Sequence, residues 1–97
     1  FFSKDEFTSG IHESAIVESN VKLGKNVYVG ANCYIGNDVS IDDDSKILSN
    51  VSIFGITKIG KNCIIGACSQ VRKIVPDNEV WYGNPAKFYR KNANDHE

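Results

Sequence analysis

Every sixth residue from Ile11 onward is aliphatic: Ile11, Val17, Leu23, Val29, Ile35, Ile41, Ile47, Ile53, Ile59, Ile65 and Val71 are all Ile, Val or Leu. A strand repeats every two residues and a helix about every 3.6, so neither regular element alone accounts for a count of six. Four residues after each aliphatic stands a second, smaller or β-branched side chain, from Ala15, Val21 and Val27 through Cys33, Val39, Ser45, Val51, Thr57, Cys63 and Ser69 to Val75. Gly follows the aliphatic directly at Gly24, Gly30, Gly36, Gly60 and Gly66, and an acid does so at Glu18 and Asp42.

This period describes a stacked coil in which each hexad supplies one short strand and the chain bends between hexads. The predicted fold class is all-β, a parallel β-helix. Three walls per coil place Ile11, Val29, Ile47 and Ile65 on one side, Val17, Ile35, Ile53 and Val71 on the second, and Leu23, Ile41 and Ile59 on the third. The large aliphatic fills the axis, the smaller residue packs near the corner, and Gly is expected to relieve crowding at the bend. No insertion breaks the register over 11–76, giving nearly four coils, with 1–10 as an N-terminal cap and 77–97 as a C-terminal loop, short helix and tail. Phe1, Phe2 or Phe7 would cover one end. Trp81, Tyr82, Phe88 and Tyr89 are available at the other, where "AKFYRKN" predicts a short helical cap.

Several outward positions are apolar: Tyr28, Tyr34, Leu48, Phe54, Ile56 and Ile64. The threefold period puts Tyr28 and Ile64 on one wall with Lys46 between them. Such a wall packs against another copy of the chain or borders a substrate groove at that same boundary.

Composition narrows the partners. The 97 residues are 24% charged with a formal net charge of -1, which gives no strong attraction toward nucleic acid or an anionic membrane. No apolar run approaches the roughly 20 residues of a membrane span, and no basic-then-apolar leader is present, so a cytoplasmic location is the default. Cys33, Cys63 and Cys68 are odd in number and lack zinc-ligand spacing, and they read as small core residues. The sequence holds no Met, which leaves room for a preceding domain.

With these motifs in view, "GIHESAIV" (10–17) and "IGKNCIIGACSQVRKIVPDNEVWYGNPAKFYRK" (59–91) resemble the opening and closing coils of the hexapeptide-repeat, or isoleucine-patch, acyltransferases. Gly83-Asn84-Pro85-Ala86-Lys87 matches their G-x-P-A-K/R element. The resemblance implies a left-handed coil, a homotrimer with sites between subunits, and acetyl transfer from acetyl-CoA to an amine or hydroxyl of a small-molecule acceptor such as a sugar or nucleotide sugar. Carried over by position, Gly66, Ala67 and Ser69 would contact the pantetheine arm and Gly83, Asn84 and Pro85 would border the nucleotide end. Arg72, Lys73, Lys87, Arg90 and Lys91 would meet phosphates. No metal is implied.

The pattern departs from that family at the base. Hydroxyl acylation needs a group near pKa 7, usually a mid-helix His. The two histidines here are His12, opening the first coil, and His96, next to the last residue. Asp42-Asp43-Asp44 reads as a solvated corner, since carboxylates near pKa 3.9 are weak bases at neutral pH. Cys68 has no His nearby in sequence and is expected to pack. An acetyltransferase acting on an amine therefore stands beside an alternative, a catalytically incomplete trimer with a binding or scaffold role, or a fragment of a larger enzyme. A γ-type carbonic anhydrase is set aside because its zinc requires three His ligands.

Overall fold

Each hexad of the chain contributes a two-residue strand, as seen in a computed structural model that describes residues 10–92. The expected cap residues Phe1, Phe2 and Phe7, and His96, lie outside the described residues. In chain order the strands are β1 (Gly10–Ile11), β2 (Ile16–Val17), β3 (Lys22–Leu23), β4 (Tyr28–Val29), β5 (Tyr34–Ile35), β6 (Ser40–Ile41) and β7 (Lys46–Ile47). They continue as β8 (Ser52–Ile53), β9 (Lys58–Ile59), β10 (Ile64–Ile65), β11 (Gln70–Val71), β12 (Glu79–Gly83) and β13 (Ala86–Lys91).

Every third strand stacks in parallel. One wall runs β1-β4-β7-β10 and continues into β12 and β13; the second is β2-β5-β8-β11 and the third β3-β6-β9. Partners are 18 residues apart, as in Val29 with Ile47 and Ile47 with Ile65. Amides also bond straight up the stack, Gly30 N–H to the Ile47 carbonyl at 2.8 Å and Leu48 N–H to the Ile65 carbonyl at 3.0 Å.

From Val29 to Val71 no axial residue is more than 1% exposed. The second inward column is also buried from Val27 to Val75, at no more than 5% exposed, including its polar members. The Ser45 hydroxyl, fully buried, donates to the Gly60 carbonyl at 2.6 Å and accepts the Cys63 N–H at 3.0 Å, so its burial leaves nothing unpaired. The first coil is looser, with Ile11 45% exposed. Tyr28, Lys46 and Ile64 do share one wall, as the period requires.

The bends are made differently from the expectation. Positive φ, near 60°, occurs at Asn20, Asn26, Asn32, Asp38, Asp44, Asn50 and Asn62, again every six residues, and not at the glycines that follow the axial residue. Asn and Asp tolerate the left-handed region because a short polar side chain bonds locally. One corner carries a ladder of them: Asn26 donates to Asp44 at 3.3 Å, Asn62 to Asn78 at 2.9 Å, and Asn92 to Asn62 at 3.2 Å. Glycine is needed instead for close approach of the next coil. A Cβ on Gly60 would stand 2.7 Å from the Asp77 backbone nitrogen, and one on Gly30 would be 3.1 Å from the Leu48 carbonyl carbon. Ile56 and Cys68 occupy the same left-handed slot, with φ of 62° and 64°, and neither has the side chain that relieves it.

Two expectations need correction. Cys33 and Cys63 are buried, but Cys68 is exposed, because its place three residues after Ile65 is the corner and not the inward column. The C-terminal cap is a strand: Ala86–Lys91 runs antiparallel to Glu79–Gly83, and no helix is present among the described residues. A seven-residue helix is marginal by itself, whereas β10 offers a ready edge on which β12 and then β13 are built. The Trp81 ring and Ala86 pack against the core from this hairpin.

Glu79 ties the hairpin together. The Trp81 Nε1–H donates to its Oε1 at 2.8 Å and the Lys91 ammonium donates to Oε2 at 3.0 Å. The indole bond, and after it the lysine, hold the Glu79 carboxyl below its ordinary value despite some opposing desolvation.

Three outcomes follow from this architecture. Ile47→Asp puts an unpaired charge on the closed axis, at a cost on the order of several kcal/mol, and should abolish the cooperative thermal transition seen by circular dichroism. Ile56→Asn should raise Tm by about 4–8 °C. It relieves about 1 kcal/mol of left-handed strain at a residue that is 85% exposed and has little packing to lose. Glu79 binds its proton less tightly in the folded state, so its contribution is complete above the unfolded carboxylate value and is lost as pH falls through the depressed folded one. Fluorescence of Trp81, the single tryptophan, should report hairpin loosening on that acid side, and Glu79→Gln should flatten the dependence.

Candidate functional site

The predicted cofactor residues fall into three neighbouring places at the C-terminal end of the coil. The first is the corner between β10 and β11. There Ser69, 2% exposed, accepts the Gly83 N–H on its hydroxyl at 3.0 Å, which pins the β12–β13 turn against the last coil. Gly83 adopts a φ of 113°, a conformation that favours glycine, and the Asn84-Pro85 peptide that follows is cis. This single bond joins Ser69 to Gly83, the residue that leads into Asn84 and Pro85.

Gly66 belongs to the same corner but is already engaged. Its N–H donates to the Trp81 carbonyl at 2.9 Å, and a Cβ there would stand 2.7 Å from the Cβ of Tyr82. Tyr82 thus covers Gly66, a contact that the repeat pattern did not reveal. Leu48 lies one coil below Gly66 in the same column, with Gly30 beneath it, and Ala31, Ser49 and Ala67 form the adjacent column of small residues. Of these, Ala67 is exposed, Ala31 and Ser49 are half-buried and Gly30 is buried, while Ser69 has its hydroxyl committed to Gly83.

The second place is the corner after β11. The Arg72 guanidinium sits 4.9 Å from the centre of the Phe54 ring and donates to Gln70 at 3.2 Å. Phe54 in turn lies 6.3 Å from the Tyr34 ring. Partial desolvation, then the Glu18 carboxylate, pushes the Tyr34 hydroxyl above its ordinary value. Arg72 is thus held in a cation–π and hydrogen-bonded stack, and Lys73 beside it is exposed. Neither is brought to the Ser69–Gly83 corner.

The third place is β13. Lys87 lies across from Tyr82 and is exposed. Arg90 lies across from Val80 and donates to the Lys91 carbonyl at 2.9 Å. Lys91 is committed to Glu79.

The candidate bases do not converge on these places. His12 is exposed in the first coil, where its Nδ1 accepts the Ser14 N–H at 3.1 Å and lies 2.9 Å from the Ser14 hydroxyl. It occupies the same corner column as Gly66 but three coils away, a rise of roughly 14 Å at about 4.8 Å per coil. General-base action needs contact near 3 Å, so His12 does not reach the upper corner of its own chain. Asp42 and Asp43 accept backbone amides, from Asp43 and Lys25 respectively, each at 2.8 Å. They serve the bend. Burial first of all pushes the Cys33 and Cys63 thiols up, away from thiolate chemistry. Among the described residues no group of three His, Cys, Asp or Glu could hold a metal ion.

Two concavities of the single chain lie elsewhere, along the third wall. One of about 520 Å³ is lined by Asn20, Val21, Lys22, Asp38 and Ser40. Another of about 220 Å³ involves Lys22, Ser40, Asp42 and Lys58. Neither includes any residue of the C-terminal corner. No helix among the described residues is long and apolar enough to cross a membrane.

Solved structures share this coil. The serine acetyltransferase of Neisseria gonorrhoeae superposes with a TM-score of 0.80 at 29% identity, over 84% of this chain and 34% of that one. The UDP-N-acetylglucosamine acyltransferase of Arabidopsis gives a TM-score of 0.69 at 30% identity, over 72% of this chain and 26% of that one. A hexapeptide-repeat acetyltransferase of Vibrio cholerae O1 biovar eltor, solved with acetyl coenzyme A, gives 0.70 at 22% identity, over 87% of this chain and 60% of that one, a likeness of fold. The present chain spans about a third of the Neisseria enzyme and a quarter of the Arabidopsis one. Its neighbours are hexapeptide-repeat acyltransferases, and over residues 8–81 the sequence matches the family described as the GMPPB C-terminal domain, to which this chain belongs.

Proposed function

We propose that the chain is the acyl-CoA-binding β-helix of an acetyltransferase that acts on an amine or hydroxyl of a sugar or nucleotide sugar. In this reading the coil is left-handed and three copies associate, with sites between subunits. The observation that supports it is the Ser69–Gly83 bond, which holds the β12–β13 turn, with its exposed Asn84 and Pro85, against the last coil, where Ala67 is exposed as well. Acetyl-CoA would supply the acyl group already activated as a thioester. Ala67 and the Gly66–Ser69 corner would border its pantetheine arm, Gly83, Asn84 and Pro85 its nucleotide end, and Lys87 and Arg90 its phosphates. Arg72 and Lys73, one corner away, would serve a phosphate only from a second direction. A neutral amine acceptor suits the site best, because its nitrogen already carries the attacking lone pair and needs less help from a base than a hydroxyl does, its proton leaving after attack to solvent or to the departing thiolate.

A second reading has its own support. The family is described as a C-terminal domain, and His12 is three coils from the corner. Both favour a module of a longer protein that binds or assembles without transferring an acyl group itself.

Titration calorimetry with acetyl-CoA separates the two. Saturable heat below millimolar ligand supports the first reading, and Lys87→Ala should then weaken binding about tenfold or more, the loss of one charge-assisted contact of about 1.5–3 kcal/mol. No heat at millimolar ligand would leave the module reading in place. Unchanged affinity in Lys87→Ala would remove that lysine from the site.

A further inference from the structure

The three walls of the prism end in six strands, and five of them are two residues long. β13 is the exception. It has six residues, extends about 20 Å, and pairs with β12 alone, so its other edge carries no strand among the described residues. A two-residue edge cannot template a ladder, whereas six residues can.

The side chains on this edge differ from those of a strand kept merely soluble. Ala86–Lys91 includes three cations and no acid. Lys91 is committed to Glu79, but Lys87 has no ion pair among the described residues, and Arg90 makes its hydrogen bond to a backbone carbonyl. Among the cations stand Phe88, 51% exposed, and Tyr89, 57% exposed, the latter 4.9 Å from the half-exposed ring of Tyr82. Exposed aromatic rings beside arginine form the composition that anchors protein interfaces.

A second copy is the wrong occupant for this edge. Two β13 strands laid side by side would bring Lys87 and Arg90, the cations without an ion pair among the described residues, against the same two cations of the copy. Like charges placed opposite one another across a ladder are destabilising. The complementary occupant is an extended acidic segment, with carboxylates to meet Lys87 and Arg90 and apolar side chains between them to cover Phe88 and Tyr89.

We propose that the outer edge of β13 binds an extended acidic peptide of a partner protein by strand addition. Backbone hydrogen bonds supply the pairing, while Lys87 and Arg90 choose the charge. This goes beyond the acetyl-CoA reading and does not depend on it, although both use Lys87 and Arg90.

The test is fluorescence anisotropy of a labelled eight-residue peptide alternating glutamate with valine or phenylalanine, titrated with the full chain. Saturable binding is expected. It should fall at least tenfold when alternate peptide amides are N-methylated, and it should vanish when lysine replaces glutamate. A Lys87→Glu/Arg90→Glu variant with an unchanged melting transition should also bind at least tenfold more weakly. Equal binding of the N-methylated peptide would overturn the proposal by reducing the contact to charge adsorption. Absence of saturable binding would overturn it too, as would tighter binding of a single-stranded oligonucleotide. Acetyl-CoA titration of the same sample reads the other proposal separately, so either can fail alone.

Discussion

The structure depends on vertical registry, the placing of each coil directly above the one 18 residues earlier. Parallel pairing of Val29 with Ile47 and Ile47 with Ile65 keeps the axial column in line. The column, at most 1% exposed from Val29 to Val71, leaves no room for a slipped alternative. Neither term suffices alone. A two-residue strand is too short to hold a ladder unaided, and a row of aliphatic side chains without the ladder has no direction. Close approach then falls to glycine, as at Gly30 and Gly60, where any side chain would meet the next coil's backbone.

Most of this geometry could be read from spacing, because a period of six survives in the residue types themselves. Ile47 and Ile53 needed no structure to be placed. The corner residues were also legible in principle: Asn20, Asn26, Asn32 and Asp38 recur at the same interval. Glycine masks them in the sequence, since it is the usual left-handed residue and here serves close packing instead. The same count puts Cys68 in the corner slot, which explains its exposure. β13 was not legible. Six residues such as "AKFYRK" carry too little periodicity to separate strand from helix, and the choice is made by the edge that β10 and β12 present.

The site was legible only in part, for a related reason. Ser69 and Gly83 are 14 residues apart and lie outside any shared repeat, so their hydrogen bond is a product of the hairpin's path. Tyr82 over Gly66 and Glu79 beneath Trp81 arise from the same hairpin. The Phe54–Arg72 stack, by contrast, is an 18-residue relation and follows from registry. Contacts within the repeat can be counted in advance, while those made by the segment that leaves it cannot.

The three walls carry different outward residues on alike aliphatic interiors: Tyr28, Lys46 and Ile64 on one, Tyr34, Ser52 and Gln70 on another, Lys22, Ser40 and Lys58 on the third. What is shown to the surroundings is thereby uncoupled from what holds the prism up. Such a scaffold lets each facade drift toward a new task without renegotiating its foundations. Kinship of shape among these solenoids consequently runs deeper than kinship of chemistry.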